Sequence, residues 1–302
     1  MFSTQRARFS KKWFNFTTRN IFRTEMVQCD PTSNVVILSQ LYSPDLNMYM
    51  LAAKSFARFI KPLEFVIVDD GLLPSDKQIL SKHFKQIRFV PTNRVKSSAC
   101  PKGGCWERLL SIAELSAAHY VIQLDADTLT LSVPDEVKQC IAENRSFTLG
   151  TSTGQEITTL RKASEFARQH PGEHVQIQAE IAMENYPGNE RLHYVRGCAG
   201  FAGFSRGLLS VTKVEEFSTN MSSLIGKEKW SGWGSEQVTS NYLIANAPNP
   251  LVLPLKGYPF WAPSVDASQC KLIHFVGTYR FYHGEYMNLA RSIIKELKNI
   301  PF

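Results

Sequence analysis

The sequence has no uninterrupted run of about 18 apolar residues, the length that a membrane-spanning helix needs. The N-terminal segment MFSTQRARFSKKWFNF is basic but contains no continuous apolar stretch, so it is a poor secretory signal. No internal repeat and no low-complexity linker is visible. These absences argue against membrane-spanning, repeat and disordered proteins. With 302 residues, 43% of them hydrophobic, the chain can form one large domain or two closely packed ones.

Cysteine is scarce and scattered, which argues against a disulfide framework. The six cysteines lie at positions 29, 100, 105, 140, 198 and 270. Cys100 and Cys105 flank PKGG, but no second pair follows at a spacing typical of zinc sites. We therefore expect free thiols in a reducing compartment and a cytoplasmic location.

Positive charge is concentrated at the N-terminus. Residues 1–28 contain six Lys and Arg and one acidic residue, so about +2 of the net charge of +7 remains for the rest of the chain. Phe9, Trp13 and Phe16 recur there at the spacing of one helix face. Such a basic, aromatic helix can contact an anionic membrane surface peripherally, or its aromatic side chains can dock on the folded body. The body has no basic stripe and no recognised binding motif, so we expect no nucleic-acid partner.

Strand-like and helix-like segments alternate in the first half of the chain. Four short segments predict strands: NVVILSQ, which is continuous and β-branched and so predicts a buried strand, EFVIVDDG, QIRFVPT and YVIQLDAD. The segments between them have helical spacing: LNMYMLAAKSFARFI, SDKQILSKHF (with Ser75 as its predicted N-cap) and WERLLSIAELSAAH. This alternation predicts an α/β fold with a mainly parallel central sheet and helices on both faces.

The second half has weaker patterns. HYVRGCAGFAGFSRG predicts a strand whose glycines allow backbone or ligand to come close. Residues 222–236 are rich in Ser, Gly and Trp and predict a loop. KLIHFVG predicts a late strand or loop, and EYMNLARSIIKELK predicts a closing helix.

Polar side chains mark the carboxyl ends of three predicted strands, where sheets of this kind bind ligands. They are Ser39, the pair Asp69 and Asp70, and the pair Asp125 and Asp127. On an extended chain residues i and i+2 point to the same side, so the last two carboxylates are expected to lie together. Adjacent carboxylates repel each other unless a proton or a cation lies between them, and a divalent cation held by oxygen ligands would attract a diphosphate. Alternatively, DADT is only a pair of turn or helix caps.

Several motifs in order resemble glycosyltransferases of the type-A nucleotide-sugar fold. The similarity is greatest to their family 8, the family of glycogenin and bacterial lipooligosaccharide galactosyltransferases. The segments that carry the resemblance are NMYMLAAKSFARF, WERLLSIAEL, DADTLTL, CAGFAGF, SEQVTSNYL, LPLKGYPF and IHFVGTYRF, which span roughly residues 35–281. Three positions depart from the family: Cys198 replaces Asn, Glu236 replaces Asp and Arg280 replaces Lys.

The resemblance implies a domain organisation and an activity. Residues 1–30 would form a basic N-terminal arm, and residues 31–302 a single glycosyltransferase domain. Residues 31–131 would form its Rossmann-like nucleotide-sugar-binding half and residues 132–302 its acceptor-binding, catalytic half. The activity would be metal-dependent transfer of a hexose from a UDP-sugar to a hydroxyl of a glycan, glycolipid or protein, with retention of configuration.

The resemblance also implies a set of metal and donor-site residues. His274 would join Asp125 and Asp127 as the third ligand of Mn²⁺ or Mg²⁺. Arg280, and with it Lys271, would neutralise the leaving diphosphate. Further contacts to the nucleotide sugar are expected from six positions: Arg108 and Gly200 by the resemblance, Ser39, Asp69 and Asp70 from their places at strand ends, and Gly277 because a glycine lets the backbone come close.

Alternatives accompany several of these roles. Asp69 and Asp70 are expected to hydrogen-bond the uracil or ribose of the donor, but they also fit an ordinary Asp-Gly turn. For Arg108 the alternative is an ordinary surface charge, and for His274 it is a core histidine.

The resemblance assigns Gln237 to positioning of the reacting sugar and Glu236 to its hydroxyls. GWGSEQ also resembles a motif of inverting galactosyltransferases, in which Glu236 would be the base on the acceptor hydroxyl. A structural alternative is a helix that begins at Glu236 with Ser235 as its N-cap. Two further alternatives are a nucleotidyltransferase, which would carry a glycine-rich basic signature near the first strand, and a sugar-binding protein without activity.

An aromatic cluster is expected to line an acceptor cleft or to pack in the core. Its members are Trp230, Trp233, Tyr258, Phe260 and Trp261.

Overall fold

A computed structural model of the protein describes residues 2–281 and 283–299. Within these residues the strands are β1 (Val35–Leu41), β2 (Glu64–Asp69), β3 (Ile87–Pro91), β4 (Tyr120–Leu124), β5 (Thr128–Thr130), β6 (Phe147–Leu149), β7 (Thr158–Thr159), β8 (His193–Tyr194), β9 (Cys198–Phe204), β10 (Leu251–Leu253) and β11 (Leu272–His274). The helices are α1 (Phe2–Thr18), α2 (Leu46–Ala57), α3 (Pro74–His83), α4 (Trp106–Ser116), α5 (Asp135–Ala142), α6 (Leu160–Gln169), α7 (Val175–Ala182), α8 (Val211–Ile225), α9 (Lys227–Trp230), α10 (Ser235–Ala245) and α11 (Glu285–Leu297).

The main sheet is mixed and mostly parallel, with helices around it. Its seven strands follow the order β10-β6-β9-β4-β1-β2-β3. The pairs β1–β2 and β10–β6 are parallel, whereas β6–β9 is antiparallel. Two small sheets, β11–β5 and β7–β8, lie outside it. The predicted α/β class with a mainly parallel sheet is therefore confirmed.

Two compact units are present, and the first consists of Met1–Phe89, Leu124–Lys138 and Leu255–Phe302. Its core forms because β1 and β2 are continuous apolar runs that pair in parallel, with Val36 opposite Glu64. Every residue of α2 is buried: most are apolar or small, and the polar Asn47 and Lys54 donate to the Thr18 hydroxyl and the Glu25 carbonyl. α1 joins this core through Phe14, whose ring packs against that of Tyr286 on α11.

The second unit consists of Val90–Gln123 and Gln139–Pro254. Phe147 on β6 and Phe201 on β9 pack together with ring centroids 5.1 Å apart. Most of α10 is buried, and it contacts β9, α7 and α8. The predicted domain boundaries at residues 30 and 131 stay predictions.

Three local predictions are wrong. Ser75 does not cap α3: the helix begins at Pro74, and the Asp76 carboxylate accepts a hydrogen bond from the Leu73 N–H. Residues 222–236 are not a loop, because α8 ends there, α9 follows and α10 begins. Ser235 does not cap α10 either; it is the first helical residue, and its hydroxyl accepts from the indole of Trp106 and donates to the Gly232 carbonyl.

No helix among residues 2–281 and 283–299 combines the length and the apolar character that crossing a membrane requires.

Candidate active site

Two short strands of the first unit place His274 beside Asp127. β5 and β11 pair antiparallel with Thr128 opposite His274. The Phe275 N–H donates to the Asp127 carbonyl over 2.8 Å, which extends this pairing by one residue. Because the backbone is fixed on both sides, the imidazole Nε2 reaches the Asp127 Oδ1 at 3.1 Å. This side-chain contact joins residues that are 147 positions apart in the sequence.

Asp125 lies close to this pair. One ligand atom from each of Asp125, Asp127 and His274 falls within 4.8 Å of the others. The two aspartates do not meet on an extended strand, as the sequence predicted, because β4 ends at Leu124 and a turn follows. The turn is held by Thr128, whose N–H and hydroxyl both donate to the Asp125 carbonyl, at 3.2 and 2.8 Å.

Arg280 approaches Asp127 from the other side. Its Nη2 lies 2.9 Å from the Asp127 Oδ2. The chain turns back through Gly277, which has φ of 78°, a conformation that favours glycine. The Gly277 carbonyl accepts a hydrogen bond from the Arg280 Nε at 2.9 Å and so fixes the guanidinium. The group Asp125, Asp127, His274 and Arg280 is called the acidic cluster below.

The surroundings of Asp127 keep it charged. Burial alone would raise the pKa of this carboxyl, but His274 and Arg280 outweigh burial and lower it. The charge of Asp127 also acts on Tyr286, a fully buried tyrosine whose pKa is raised, first by burial and then by that charge. Its hydroxyl has no hydrogen-bond partner within the described part of the chain. Sequence reasoning missed Tyr286, because its aromatic ring at the start of α11 reads as ordinary core.

The other predicted residues of the first unit have structural contacts. Ser39 lies inside β1, fully buried, and its hydroxyl donates to the Leu124 carbonyl at 2.6 Å. Asp69 accepts from the N–H groups of Gly71 and Leu72, which satisfies the turn interpretation. Asp70 is exposed and accepts from Gln40 at 3.0 Å. Their roles toward a nucleotide stay predictions.

Lys271 is engaged elsewhere. Its ammonium lies 3.0 Å from the Asp135 carboxylate and 2.8 Å from that of Glu136. A cation held by two carboxylates is a weak candidate for neutralising a third anion, so Arg280 is the better one.

Arg108 and Glu236 form a buried ion pair in the second unit. The Arg108 Nη2 lies 3.3 and 3.2 Å from the two carboxylate oxygens. Their side chains are only 7% and 4% exposed, so the interpretation of Arg108 as a surface charge is wrong. Removing either side chain would leave the other charge buried and uncompensated, which would destabilise the fold.

Gln237 follows at the first turn of α10, and both ends of its amide are bonded. Oε1 accepts from the Ala199 N–H at 3.1 Å, and Nε2 lies 3.2 Å from the Gln176 Oε1. On the neighbouring β9, the Gly200 N–H donates to the Cys198 Sγ at 3.4 Å. The second unit therefore contains four of the predicted site residues: Arg108, Gly200, Glu236 and Gln237. The first unit contains the acidic cluster.

The aromatic residues divide between core and surface. Trp230 and Tyr258 are buried, Phe260 and Trp261 are half-buried, and Trp233 is 72% exposed. The core interpretation is therefore correct for the first two.

Known structures resemble this one in fold. The bifunctional glycosyltransferase WbbM aligns with a TM-score of 0.50 and 12% sequence identity over 89% of this chain and 53% of WbbM, about half its length. The galactosyltransferase LgtC, in complex with donor and acceptor sugar analogs, aligns with a TM-score of 0.50 and 10% identity over 88% of this chain and 97% of LgtC. The fold is that of type-A glycosyltransferases. At these identities the likeness shows the fold alone.

Searches by sequence found no counterpart: no family model and no curated protein matches the chain. Membership of family 8 therefore stays a prediction.

Proposed function

We propose that the protein is a metal-dependent glycosyltransferase that transfers a hexose from a UDP-sugar to a hydroxyl acceptor with retention of configuration. One observation carries the proposal: in a type-A glycosyltransferase fold, two carboxylates and an imidazole converge within 4.8 Å directly after β4. The strand order alone would support many activities, so the acidic cluster is what favours this one.

The donor atoms of the cluster suit a divalent cation. Carboxylate oxygens favour Mn²⁺ and Mg²⁺, and an imidazole is compatible with Mn²⁺. The β5–β11 pairing holds His274, and the turn after β4 holds the aspartates, so the ligands converge without rearrangement of the backbone. Asp125, Asp127 and His274 would hold the ion, which when bound would supply positive charge to a diphosphate.

Arg280 contributes a second positive charge in the proposed reaction. Its guanidinium is half-buried and rests on Asp127, and its planar fork can bind phosphate oxygens in bidentate fashion. Cleavage of the sugar–phosphate bond leaves charge on the nucleoside diphosphate, and a fixed cation stabilises that charge as it develops.

Gln237 is assigned to positioning of the reacting sugar and Glu236 to binding its hydroxyls. Both oxygens of Glu236 already contact Arg108, which makes it a poor candidate for a base on an incoming hydroxyl. This contact favours retention over the inverting alternative. Analysis of the product anomer decides between the two.

A screen of nucleotide sugars tests the proposal. The protein is incubated with each donor, with Mn²⁺, Mg²⁺ or EDTA, and release of nucleoside diphosphate is measured by chromatography. We expect release from at least one UDP-hexose that EDTA abolishes and that the Asp127→Asn variant lacks. UDP binding, measured by calorimetry, should likewise require the metal. UDP binding of equal affinity in EDTA, without turnover of any donor, would support a sugar-nucleotide-binding protein instead.

We also propose that α1 contacts an anionic membrane surface peripherally. Phe9, Trp13 and Phe16 are 71%, 52% and 54% exposed, so about half or more of each side chain is accessible to a partner. The rings of Trp13 and Phe16 stack at 5.8 Å, and the guanidinium of Arg19 lies over the ring of Phe16 at 4.2 Å. An exposed aromatic face with basic residues on the same segment is typical of helices that lie in a membrane interface.

A further inference from the structure

Glu180 is a carboxylate buried inside the second unit, with a side chain only 2% exposed. Burial of a carboxylate is costly unless hydrogen bonds compensate it. Three donors surround its Oε1: the Gln176 Nε2 at 2.9 Å, the Tyr194 hydroxyl at 3.1 Å and the Arg196 Nε at 3.4 Å. The other oxygen has no hydrogen-bond partner within the described residues. All three donors thus converge on one oxygen, the one that Gln176 contacts.

Gln176 connects Glu180 to Gln237. Its Nε2 donates to the carboxylate, and its Oε1 accepts from the Gln237 Nε2 at 3.2 Å. The Gln237 Oε1 in turn accepts from the Ala199 N–H at 3.1 Å. A chain of hydrogen bonds therefore runs from Glu180 on α7 through Gln176, on the same helix, to Gln237 on α10 and the backbone of β9.

The two ends of this chain determine the direction of every bond in it. An ionised carboxylate only accepts and a backbone N–H only donates, whereas a glutamine amide can present either its oxygen or its NH₂ group. With an acceptor at Glu180, Gln176 must turn its NH₂ group toward α7 and its oxygen toward Gln237. Gln237 must then turn its NH₂ group toward Gln176 and its oxygen toward β9.

We propose that Glu180, acting through Gln176, is a positioning residue that, together with the Ala199 N–H at the opposite end of the amide, fixes which end of the Gln237 amide faces the reacting sugar. The inference rests on the proposed function, in which Gln237 positions that sugar. One hydrogen of its NH₂ group and one lone pair of its oxygen stay available for a ligand, and the chain determines where each of them points. An amide that alternates between two orientations would offer the correct group for only part of the time.

Relocation of the charge tests the proposal. Glu180→Gln keeps the shape of the side chain. It replaces a carboxylate, which can only accept from Gln176, by an amide that can turn either its oxygen or its NH₂ group toward Gln176. We expect kcat for donor turnover to fall about tenfold, as for one lost charge-assisted hydrogen bond, with the KM for donor unchanged. In the double variant Gln176→Glu with Glu180→Gln, the carboxylate at position 176 accepts from both neighbours and restores the direction at Gln237. We expect it to recover most of the lost kcat, which a carboxylate that served only for packing would not do.

A matched control exists at another Gln–Glu pair. The Gln139 Nε2 donates to the Glu143 carboxylate at 2.9 Å with the same i, i+4 spacing, but this pair is exposed. Glu143→Gln should leave kcat and KM unchanged. A Glu180→Gln protein with wild-type kcat, or a double variant no better than the single one, would overturn the proposal.

A measurement that needs no turnover separates this proposal from the proposed function. The side-chain NH₂ signal of Gln237, assigned by its loss in Gln237→Glu, is followed by nitrogen-15 NMR. We expect it to shift and to exchange faster with solvent in Glu180→Gln and to return toward its wild-type position in the double variant. An unchanged signal in Glu180→Gln overturns the proposal, even if no donor is turned over. If the signal behaves as expected but no wild-type turnover exists, Gln237 has no reacting sugar to position, which overturns both.

Discussion

Asp127 has contacts on both of its carboxylate oxygens before any cation binds. Oδ1 faces His274 at 3.1 Å and Oδ2 faces Arg280 at 2.9 Å. If Asp127 only repelled its neighbour Asp125, removing its charge would stabilise the protein. His274 and Arg280 already compensate the charge of Asp127, so we expect the opposite effect. Neutralisation should therefore cost stability as well as metal affinity.

Asp127→Asn should lower the free energy of unfolding in EDTA by about 1–3 kcal/mol, the usual effect of breaking one buried charge-assisted contact. The stabilisation that Mn²⁺ gives the wild type should largely disappear, because a ligand stabilises only as far as it binds the folded state. Thermal melts with EDTA and with excess Mn²⁺ measure both effects. Asp76→Asn is the matched control, since this buried carboxylate caps α3 outside the acidic cluster. It should lose stability but keep the response to Mn²⁺; an unchanged response in Asp127→Asn would contradict the metal assignment.

Arg280→Ala should reduce turnover more than donor binding. The charge that Arg280 meets is larger in the transition state than in the bound donor, so its removal should raise the barrier by about 2–4 kcal/mol. Steady-state kinetics with the donor found in the screen measure kcat and KM separately. Arg88→Ala, which removes an exposed guanidinium paired with Glu64, is the control and should behave as wild type. A normal kcat with a raised KM in Arg280→Ala would mean that Arg280 only binds the donor.

At the scale of elements, α1 shows how far a local pattern determines structure. The spacing of Phe9, Trp13 and Phe16 predicted one helix face, and the structure has the helix. The pattern left open whether that face is buried, because burial depends on distant parts of the chain. Phe14, on the other side of α1, is the residue that packs in the core, against Phe281 and Tyr286.

The two faces of α1 should respond differently to substitution. Replacing Phe9, Trp13 and Phe16 together by Ser should leave the melting temperature unchanged and weaken association with phosphatidylcholine vesicles that contain phosphatidylserine. Phe14→Ser is the contrasting variant and should cost about 3–5 kcal/mol of stability, as for other buried aromatics cut back to a small side chain. Vesicle co-sedimentation at low and high salt measures binding, which should weaken with salt. Equal co-sedimentation of the triple variant and the wild type would remove the membrane proposal.

The elements that the sequence predicted least well are those fixed by tertiary contacts. The Ser, Gly and Trp content of residues 222–236 suggested a loop, yet Trp230 is buried there, with its indole N–H bonded to Ser218 on α8 at 3.0 Å. That contact stabilises α9, which is only four residues long and could not form in isolation. Helix propensity is a weak guide where packing decides.

At the scale of the whole molecule, the fold was predicted from the order of strands and helices along the chain. Buried parallel strands leave continuous apolar runs that are visible in a sequence, which is why β1, β2 and β4 were found. β3 lies at the edge of the sheet and is not buried, and the alternation of strands and helices indicated it. The partners of the acidic cluster were harder to find. Asp125 and Asp127 stand out as a local motif, but the chemistry of KLIHFVG alone does not distinguish a ligand from a core histidine. Only the resemblance nominated His274, and the register of β5 with β11 brings it to Asp127.

Networks such as Glu180–Gln176–Gln237 are invisible in a single sequence, because glutamine and glutamate at i, i+4 are common on any helix. They become recognisable only when burial and direction are known for each side chain.

Stability of the whole molecule should depend on pH through two buried bases of the first unit. Burial lowers the pKa of Lys54 to about 8, against the opposing charge of Glu25. Burial, with the charge of Lys54 second, lowers the pKa of His83 to about 4. The His83 Nδ1 has no hydrogen-bond partner within the described chain, and a hydrogen bond to the Phe22 backbone opposes the lowering of the pKa only in part. Both groups bind fewer protons in the folded state than in the unfolded one.

The direction in which stability changes with pH follows from proton binding to the folded and unfolded states. Between the folded pKa of His83, about 4, and its unfolded value of 6.5, the unfolded chain is protonated and the folded one is not, so stability falls as the pH falls through this window. Lys54 acts in the same direction at higher pH, between about 8 and 10.5, where stability should rise with pH. The two windows do not overlap, so each can be assigned separately.

His83→Gln keeps a side-chain hydrogen-bond donor but removes the titration. We expect the wild type to lose up to about 3 kcal/mol more than this variant between pH 6.5 and pH 4. Urea unfolding at several pH values measures the difference, and His170→Gln, a change at an exposed histidine, should retain the pH dependence of the wild type. Acid also protonates carboxylates such as Asp127, but that loss is common to all three proteins and cancels in the comparison. Parallel stability curves for the wild type and His83→Gln would show that His83 takes up its proton in the folded protein as readily as in the unfolded chain, contrary to the environment that its burial and Lys54 create.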